Sequence, residues 1–110
     1  MSGLERIAKQ VAENPVVIYM KGSPQLPSCG FSSRASQALA ACEQEFSYVN
    51  VIEDMEVYEA LPAFADWPTF PQVYIGGELV GGCDITLELF RTGELKTMME
   101  AAISKHSAEA

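Results

Sequence analysis

An apolar run of five residues, from Val16 to Met20, sets the strongest limit on how this 110-residue chain folds. The run is rich in β-branched residues and far shorter than the about 20 residues of a membrane-spanning helix, so a buried strand is predicted over residues 15–20. Apolar residues at helical spacing predict a helix over residues 3–13, with Ser2 as a candidate cap. Another helix is predicted from about Cys29 to Gln44.

The rest of the chain completes an α/β pattern. Strands are predicted over residues 46–52, 72–75 and 78–80, and helices over 55–65, 84–91 and 94–105. The first two strands enclose a helix, which requires a right-handed parallel crossover, and Gly76-Gly77 joins the last two as a hairpin. We therefore expect a single domain, residues 1–110, with a four-stranded mixed sheet flanked by helices on both faces. The tail after about residue 105 is expected to be disordered.

Charge and cysteine content exclude several classes of protein. Seven basic and 15 acidic residues give a net charge of −8, which argues against a general nucleic-acid binder. Three cysteines and no recognisable secretory signal argue against a disulfide-stapled secreted scaffold. We expect a cytoplasmic protein without a membrane span, in which one thiol is reactive.

Cys29 is the first candidate for that thiol. It follows a loop and begins a helix, whose free N–H groups and partial positive charge stabilise a thiolate. Lys21 and Arg34, two of the seven cations, flank it. Position 32 is Ser32, so no second cysteine completes a C-x-x-C motif. Cys42 falls on the apolar stripe of the same helix, about 20 Å away, and is predicted to lie in the core.

Cys83 lies at a second predicted helix N-terminus, after two glycines and before Asp84. The free N–H groups of that helix terminus could hold a carboxylate, and Asp84 is the expected N-cap. A packing role for Cys83 is favoured over that of a second redox thiol. Between these elements, Pro71 directly precedes a strand. A cis bond there would present the backbone of Phe70 to an extended peptide.

Three separated motifs carry a family resemblance. The segments Lys21-Gly-Ser-Pro-Gln-Leu-Pro-Ser-Cys29-Gly-Phe-Ser32, Trp67-Pro-Thr-Phe-Pro-Gln72 and Gly81-Gly-Cys-Asp84 together resemble the CGFS-type monothiol glutaredoxins. The resemblance covers almost the whole chain and implies a thioredoxin-like fold.

The resemblance also implies a glutathione site. Cys29 would meet the glutathione sulfur, and Lys21 would face the glycine carboxylate. Phe70, before a cis Pro71, would pair its backbone with the glutathione cysteine, while the Cys83 backbone and Asp84 would hold the γ-glutamyl end. One position departs from the family pattern, because Tyr58 stands where an Arg or Gln usually contacts the glycine carboxylate. Lys21 would then hold that carboxylate alone or with Gln25 or Thr69.

Family members of this type bind a labile [2Fe–2S] cluster between two subunits. Such a cluster takes four thiolates, here Cys29 from each of two chains and two glutathione molecules. The resemblance thus implies a cluster carrier that forms a glutathione-dependent homodimer, serves apo iron–sulfur client proteins and pairs with BolA-like proteins. A glutathione-dependent thiol–disulfide oxidoreductase acting through Cys29 is the alternative. A redox adaptor with a Cys29–Cys83 disulfide is a third hypothesis.

Overall fold

A computed structural model describes residues 2–109 and has the predicted α/β architecture. The four strands β1–β4 form one mixed sheet in the order β2-β1-β3-β4. β1 pairs parallel with β2 and antiparallel with β3, which in turn pairs antiparallel with β4. In chain order the elements are α1 (Gly3–Glu13), β1 (Val16–Met20), α2 (Gly30–Ala41), β2 (Ser47–Asn50), a 3₁₀ turn (Val51–Glu53), α3 (Met55–Ala65), β3 (Gln72–Ile75), β4 (Glu78–Gly81), α4 (Cys83–Thr92) and α5 (Glu94–Glu109).

The sheet carries a hydrophobic cluster on each face, because successive side chains of β1 point to opposite sides. Val17 and Tyr19 pack with residues of α1 and α3. Val16, Ile18 and Met20 pack with residues of α2 and α5. β1 is buried along its whole length, as predicted for its apolar run. The predicted four-stranded sheet with helices on both faces is therefore confirmed.

Three predicted boundaries differ from the structure by more than one residue. The strand predicted over residues 46–52 is shorter, because the Asn50 side chain accepts a hydrogen bond from the Ile52 N–H at 3.1 Å and caps a 3₁₀ turn. α2 ends at Ala41 rather than Gln44, since Glu43 adopts a left-handed φ of 59°. The tail after residue 105, expected to be disordered, is instead helical as far as Glu109, and residue 110 lies outside the described residues. Within residues 2–109, no helix is both long and apolar enough to cross a membrane.

Candidate functional site

A pocket of about 800 Å³ lies beside the N-terminus of α2. Tyr58 of α3 lines this pocket, whereas Gln25, one of the two residues expected to assist Lys21, does not. Lys21 is its one cationic lining residue and Asp84 its one anionic lining residue, within the described part of the chain. All the site residues expected from the sequence line this pocket, namely Lys21, Cys29, Thr69, Phe70, Pro71, Cys83 and Asp84.

Cys29 is the N-cap residue of α2 and is partly exposed to solvent. The Ser32 backbone N–H lowers the pKa of the Cys29 thiol below its ordinary value. Partial desolvation opposes this change, while the Phe31 N–H, the Ser32 hydroxyl and the Lys21 charge add to it. The first turn of a helix therefore supplies the donors that stabilise a thiolate, as the sequence predicts.

Ser32 has a structural part that sequence reasoning missed. Its side chain is fully buried, and its hydroxyl accepts a hydrogen bond from the backbone N–H of Lys21 at 3.2 Å. The hydroxyl thereby ties the end of β1 to the first turn of α2. In the sequence, Ser32 indicates only that the second cysteine of a C-x-x-C motif is absent, and nothing predicts its hydrogen bond to Lys21.

The loop between Lys21 and Cys29 folds back on itself. Ser28 N–H donates to Lys21 O at 2.9 Å, and Gly22 pairs with Pro27 in an isolated bridge. Gly22 has a φ of 91°, and a Cβ there would lie 2.5 Å from Leu26 O, so only glycine fits. From β2, Asn50 Oδ1 accepts the Gly22 N–H at 3.0 Å. The loop is thus anchored at both of its ends.

Lys21 and Phe70 are linked by an aromatic ring from α3. The Lys21 ammonium lies 5.9 Å from the centroid of the Tyr58 ring, and that ring lies 5.0 Å from the Phe70 ring. The position that departs from the family pattern therefore contacts two of the expected ligand-binding residues. Sequence reasoning placed Tyr58 near this site but gave it no role.

The segment before β3 has the predicted conformation, because the Phe70–Pro71 peptide bond is cis. Outside the helices and strands of residues 2–109, no backbone hydrogen bond involves Phe70. The fully buried Gln72 holds the segment, since its Nε2 donates to Trp67 O at 2.9 Å and Thr69 O at 3.3 Å. The Tyr74 hydroxyl fixes the Gln72 amide by donating to its Oε1 at 2.8 Å. Gln72 ends one of the three motifs, but nothing in the sequence indicated this role for its side chain.

At the N-terminus of α4, the prediction that Asp84 is the N-cap was wrong. Gly82 is the N-cap, while Asp84 is an exposed residue of the first turn. A side chain at position 82 would crowd Pro71 O at 3.3 Å and Trp67 Nε1 at 3.5 Å, which favours glycine there. The Gly82 carbonyl accepts a hydrogen bond from the Thr86 hydroxyl at 2.7 Å, in the first turn of α4.

The other two thiols differ from Cys29. Burial raises the pKa of Cys83, with smaller contributions from Arg34, which lowers it, and from Asp84 and Cys29, which raise it. Burial also raises the pKa of Cys42, which is 3% exposed and lies in the core as predicted. No group of three or more His, Cys, Asp or Glu side chains within residues 2–109 could hold a metal ion.

The chain is similar to known proteins in both sequence and structure. A family model described as "Glutaredoxin" matches residues 16–80. The chain is 52% identical to "Glutaredoxin 4" of Haemophilus influenzae over 107 residues, which cover 97% of this chain and all of that protein. Among solved structures, reduced poplar apo GrxS14 is 41% identical with a TM-score of 0.78, covering 91% of this chain and 92% of that one. A buckwheat glutaredoxin–glutathione complex is 26% identical with a TM-score of 0.80, covering 91% and 89%.

Proposed function

Since the chain belongs to the glutaredoxin family, we propose that its pocket binds glutathione and that Cys29 is the thiol that meets the glutathione sulfur. One observation carries this proposal. The partly exposed Cys29, its pKa lowered by the first turn of α2, shares a pocket with the cation Lys21 and the N-terminus of α4. A thiol, a carboxylate and an amino-acid end are what glutathione offers to these three features. The similar buckwheat structure is a glutaredoxin–glutathione complex.

Each lining residue has a physical role in this proposal. Lys21 attracts the glycine carboxylate. Phe70, which makes no backbone hydrogen bond outside the helices and strands of residues 2–109, can pair its backbone with the peptide group of the glutathione cysteine. The free N–H groups at the start of α4, including that of Cys83, suit the carboxylate of the γ-glutamyl end. The Asp84 carboxylate suits its ammonium group. Thr69 and Pro71 complete the wall of the pocket.

We further propose that the protein carries a [2Fe–2S] cluster as cargo. A single chain offers one thiolate in an accessible position, and the described residues contain no three-ligand group. As the resemblance to CGFS-type glutaredoxins implies, the four thiolate ligands would come from Cys29 of two chains and from two glutathione molecules. Half of the ligands are then exchangeable, which suits delivery to apo iron–sulfur proteins. A BolA-like protein replacing one subunit belongs to the same proposal. Three free thiols suit a reducing compartment, and we propose the cytoplasm.

Anaerobic reconstitution with iron, sulfide and glutathione tests the carrier. We expect a visible charge-transfer spectrum on a dimer by gel filtration, which is lost when glutathione is withheld or when Cys29 is replaced in Cys29→Ser. Cys42→Ala is the matched control, because Cys42 lies in the core, and it should keep the spectrum. Incubation with an apo iron–sulfur protein should then move the spectrum to that protein. A colourless monomer under all conditions would contradict the carrier.

The lowered pKa of Cys29 also favours a second candidate, a thiol–disulfide oxidoreductase. The Cys29 thiolate would attack the glutathione sulfur of a glutathionylated protein, form a mixed disulfide and release the protein thiolate. A second glutathione thiolate would then attack that mixed disulfide, giving glutathione disulfide and the Cys29 thiolate. Turnover of a glutathionylated peptide that depends on glutathione and is lost in Cys29→Ser would support this activity.

The buried Cys83 also lines the pocket, so the third hypothesis, a Cys29–Cys83 disulfide, is directly testable. Oxidised wild type and oxidised Cys83→Ser are compared by non-reducing electrophoresis and by the mass of the Cys29 peptide. An internal disulfide in the wild type that Cys83→Ser lacks would support it. Identical mobility and a Cys29–glutathione adduct in both proteins would eliminate it.

A further inference from the structure

The aromatic ring of Tyr58 is the partner of the Lys21 ammonium in this pocket, at 5.9 Å from nitrogen to ring centroid. The other cations near the elements of the site are held differently, since Arg6 pairs with Asp54 and Arg34 lies over Phe31 at 5.1 Å. Within residues 2–109, the Lys21 side chain makes no ion pair and no hydrogen bond. Among these residues, the Tyr58 ring is therefore the contact that restrains the charged end of Lys21.

The same ring is itself held in place. Tyr58 is half-buried on α3, and its ring contacts the Phe70 ring at a centroid distance of 5.0 Å and an angle of 42°. α3 is capped by Asp54, whose carboxylate accepts the Val57 N–H at 3.3 Å and pairs with Arg6 of α1. A well-anchored helix thus presents the ring to Lys21.

We propose that Tyr58 is a positioning residue that makes the pocket selective for a ligand carrying a free carboxylate. The inference rests on the proposed function, because it assigns Tyr58 to the end of the pocket where Lys21 receives the glycine carboxylate of glutathione. Tyr58 adds no charge of its own. It acts by holding the ammonium of Lys21 over one face of its ring.

The charge of the molecule makes this restraint important. The chain has a net charge of −8, and Asp84 lines the same pocket, so an anionic ligand approaches against repulsion. One flexible lysine must overcome it, and an unrestrained lysine loses side-chain entropy when it pairs. A ring that holds the ammonium in advance lowers that cost. A cation–π contact at a partly exposed site corresponds to a change of about 2- to 5-fold in affinity.

Binding of glutathione and of its glycine monoethyl ester tests the proposal. Trp67, the single tryptophan, lines the pocket and reports binding by fluorescence under anaerobic, reducing conditions. The measured quantity is the ratio of the Kd for the ester to the Kd for glutathione. We expect the wild type to prefer the acid, Tyr58→Leu to reduce that ratio about 2- to 5-fold, and Tyr58→Phe to retain it.

The ratio separates positioning from a merely structural role. Loss of the Tyr58–Phe70 contact alone would weaken both ligands equally and leave the ratio unchanged, which would overturn the proposal. In a Lys21→Ala background, Tyr58→Leu should no longer change the ratio, and a persisting effect would also overturn it. Tyr58→Met, another good helix former, replaces Tyr58→Leu if the latter unfolds in a circular dichroism melt.

Binding of the two compounds to the wild-type protein tests the proposed function separately. A wild-type protein that binds neither compound contradicts the glutathione site itself. A wild-type protein that binds both compounds equally leaves the glutathione site standing and overturns the role given to Tyr58.

Discussion

The backbone N–H of Lys21 donates a hydrogen bond of 3.2 Å to the hydroxyl of Ser32, and this bond joins the cation of the pocket to the helix that begins at its thiol. Ser32 is fully buried, so the bond is shielded from water. The same hydroxyl also contributes to the lowered pKa of Cys29. One buried side chain therefore connects the geometry of the loop with the reactivity of the cysteine.

Removing that hydroxyl tests the connection. Ser32→Ala leaves the Lys21 N–H without its partner and should lower the free energy of unfolding by about 1–3 kcal/mol, measured by urea denaturation. The pKa of Cys29 should rise but stay below its ordinary value, because the Ser32 backbone N–H remains. Ser33→Ala is the matched control, since the Ser33 hydroxyl pairs with Gln37 on the exposed side of α2. Equal stability of the two variants would contradict this account.

Alkylation of the three thiols as a function of pH should distinguish Cys29. Its pKa is lowered and those of Cys42 and Cys83 are raised, so near pH 7 iodoacetamide should label Cys29 first, as read by peptide mass spectrometry. The rate should fall as the pH drops through the Cys29 pKa, with a midpoint below that of an ordinary cysteine thiol. Faster labelling of either buried thiol would contradict the predicted order.

The same shift gives a sign for stability. The thiolate of Cys29 is favoured in the native state, so its contribution is fully present above the pKa of the unfolded thiol and is lost as the pH falls through the native pKa. Wild type should therefore gain stability relative to Cys29→Ser as the pH rises across this window. Urea denaturation at several pH values measures the difference, and a difference that is constant with pH would refute the linkage.

Replacement by alanine should destabilise the protein at Gly22 but not at Gly30. Gly22→Ala places a Cβ 2.5 Å from Leu26 O at a φ of 91°, so it should destabilise the protein by at least about 1–2 kcal/mol. Gly30→Ala begins α2 with open space around the new methyl group, so stability should be unchanged or slightly raised. Thermal melts of both variants measure this. A tolerated Gly22→Ala would mean that the loop relaxes more easily than its contacts indicate.

The Asp54 N-cap should stabilise α3, the helix that carries Tyr58. Asp54→Ala removes both the bond from the Val57 N–H and the ion pair with Arg6, and should cost about 0.5–2 kcal/mol of stability. Asp54→Asn keeps a capping oxygen and should lose less. Urea denaturation of the two variants compares these costs. An Asp54→Asn protein as unstable as Asp54→Ala would assign the effect to the ion pair instead of the cap.

Much of the fold and several parts of the site were predictable because they depend on local patterns. The apolar run of β1 predicted a buried strand, and Gly76-Gly77 predicted a hairpin whose two glycines have φ values of 63° and 82°. Cys29 at a loop–helix junction predicted a stabilised thiolate, which the first turn of α2 provides. Each of these inferences needs only neighbouring residues.

Tertiary structure alone decided how the distant segments meet. The strand order β2-β1-β3-β4 and the contact between Lys21 and Tyr58 join residues far apart in the chain, and no local pattern specifies them. Asp84 had the right residue type for an N-cap, but close packing of Pro71 and Trp67 against the start of α4 gives that position to Gly82. The sequence by itself determined which elements form and which thiol is activated. The packing of those elements determined which side chains surround that thiol, because burial and long-range contacts arise only when the sheet assembles.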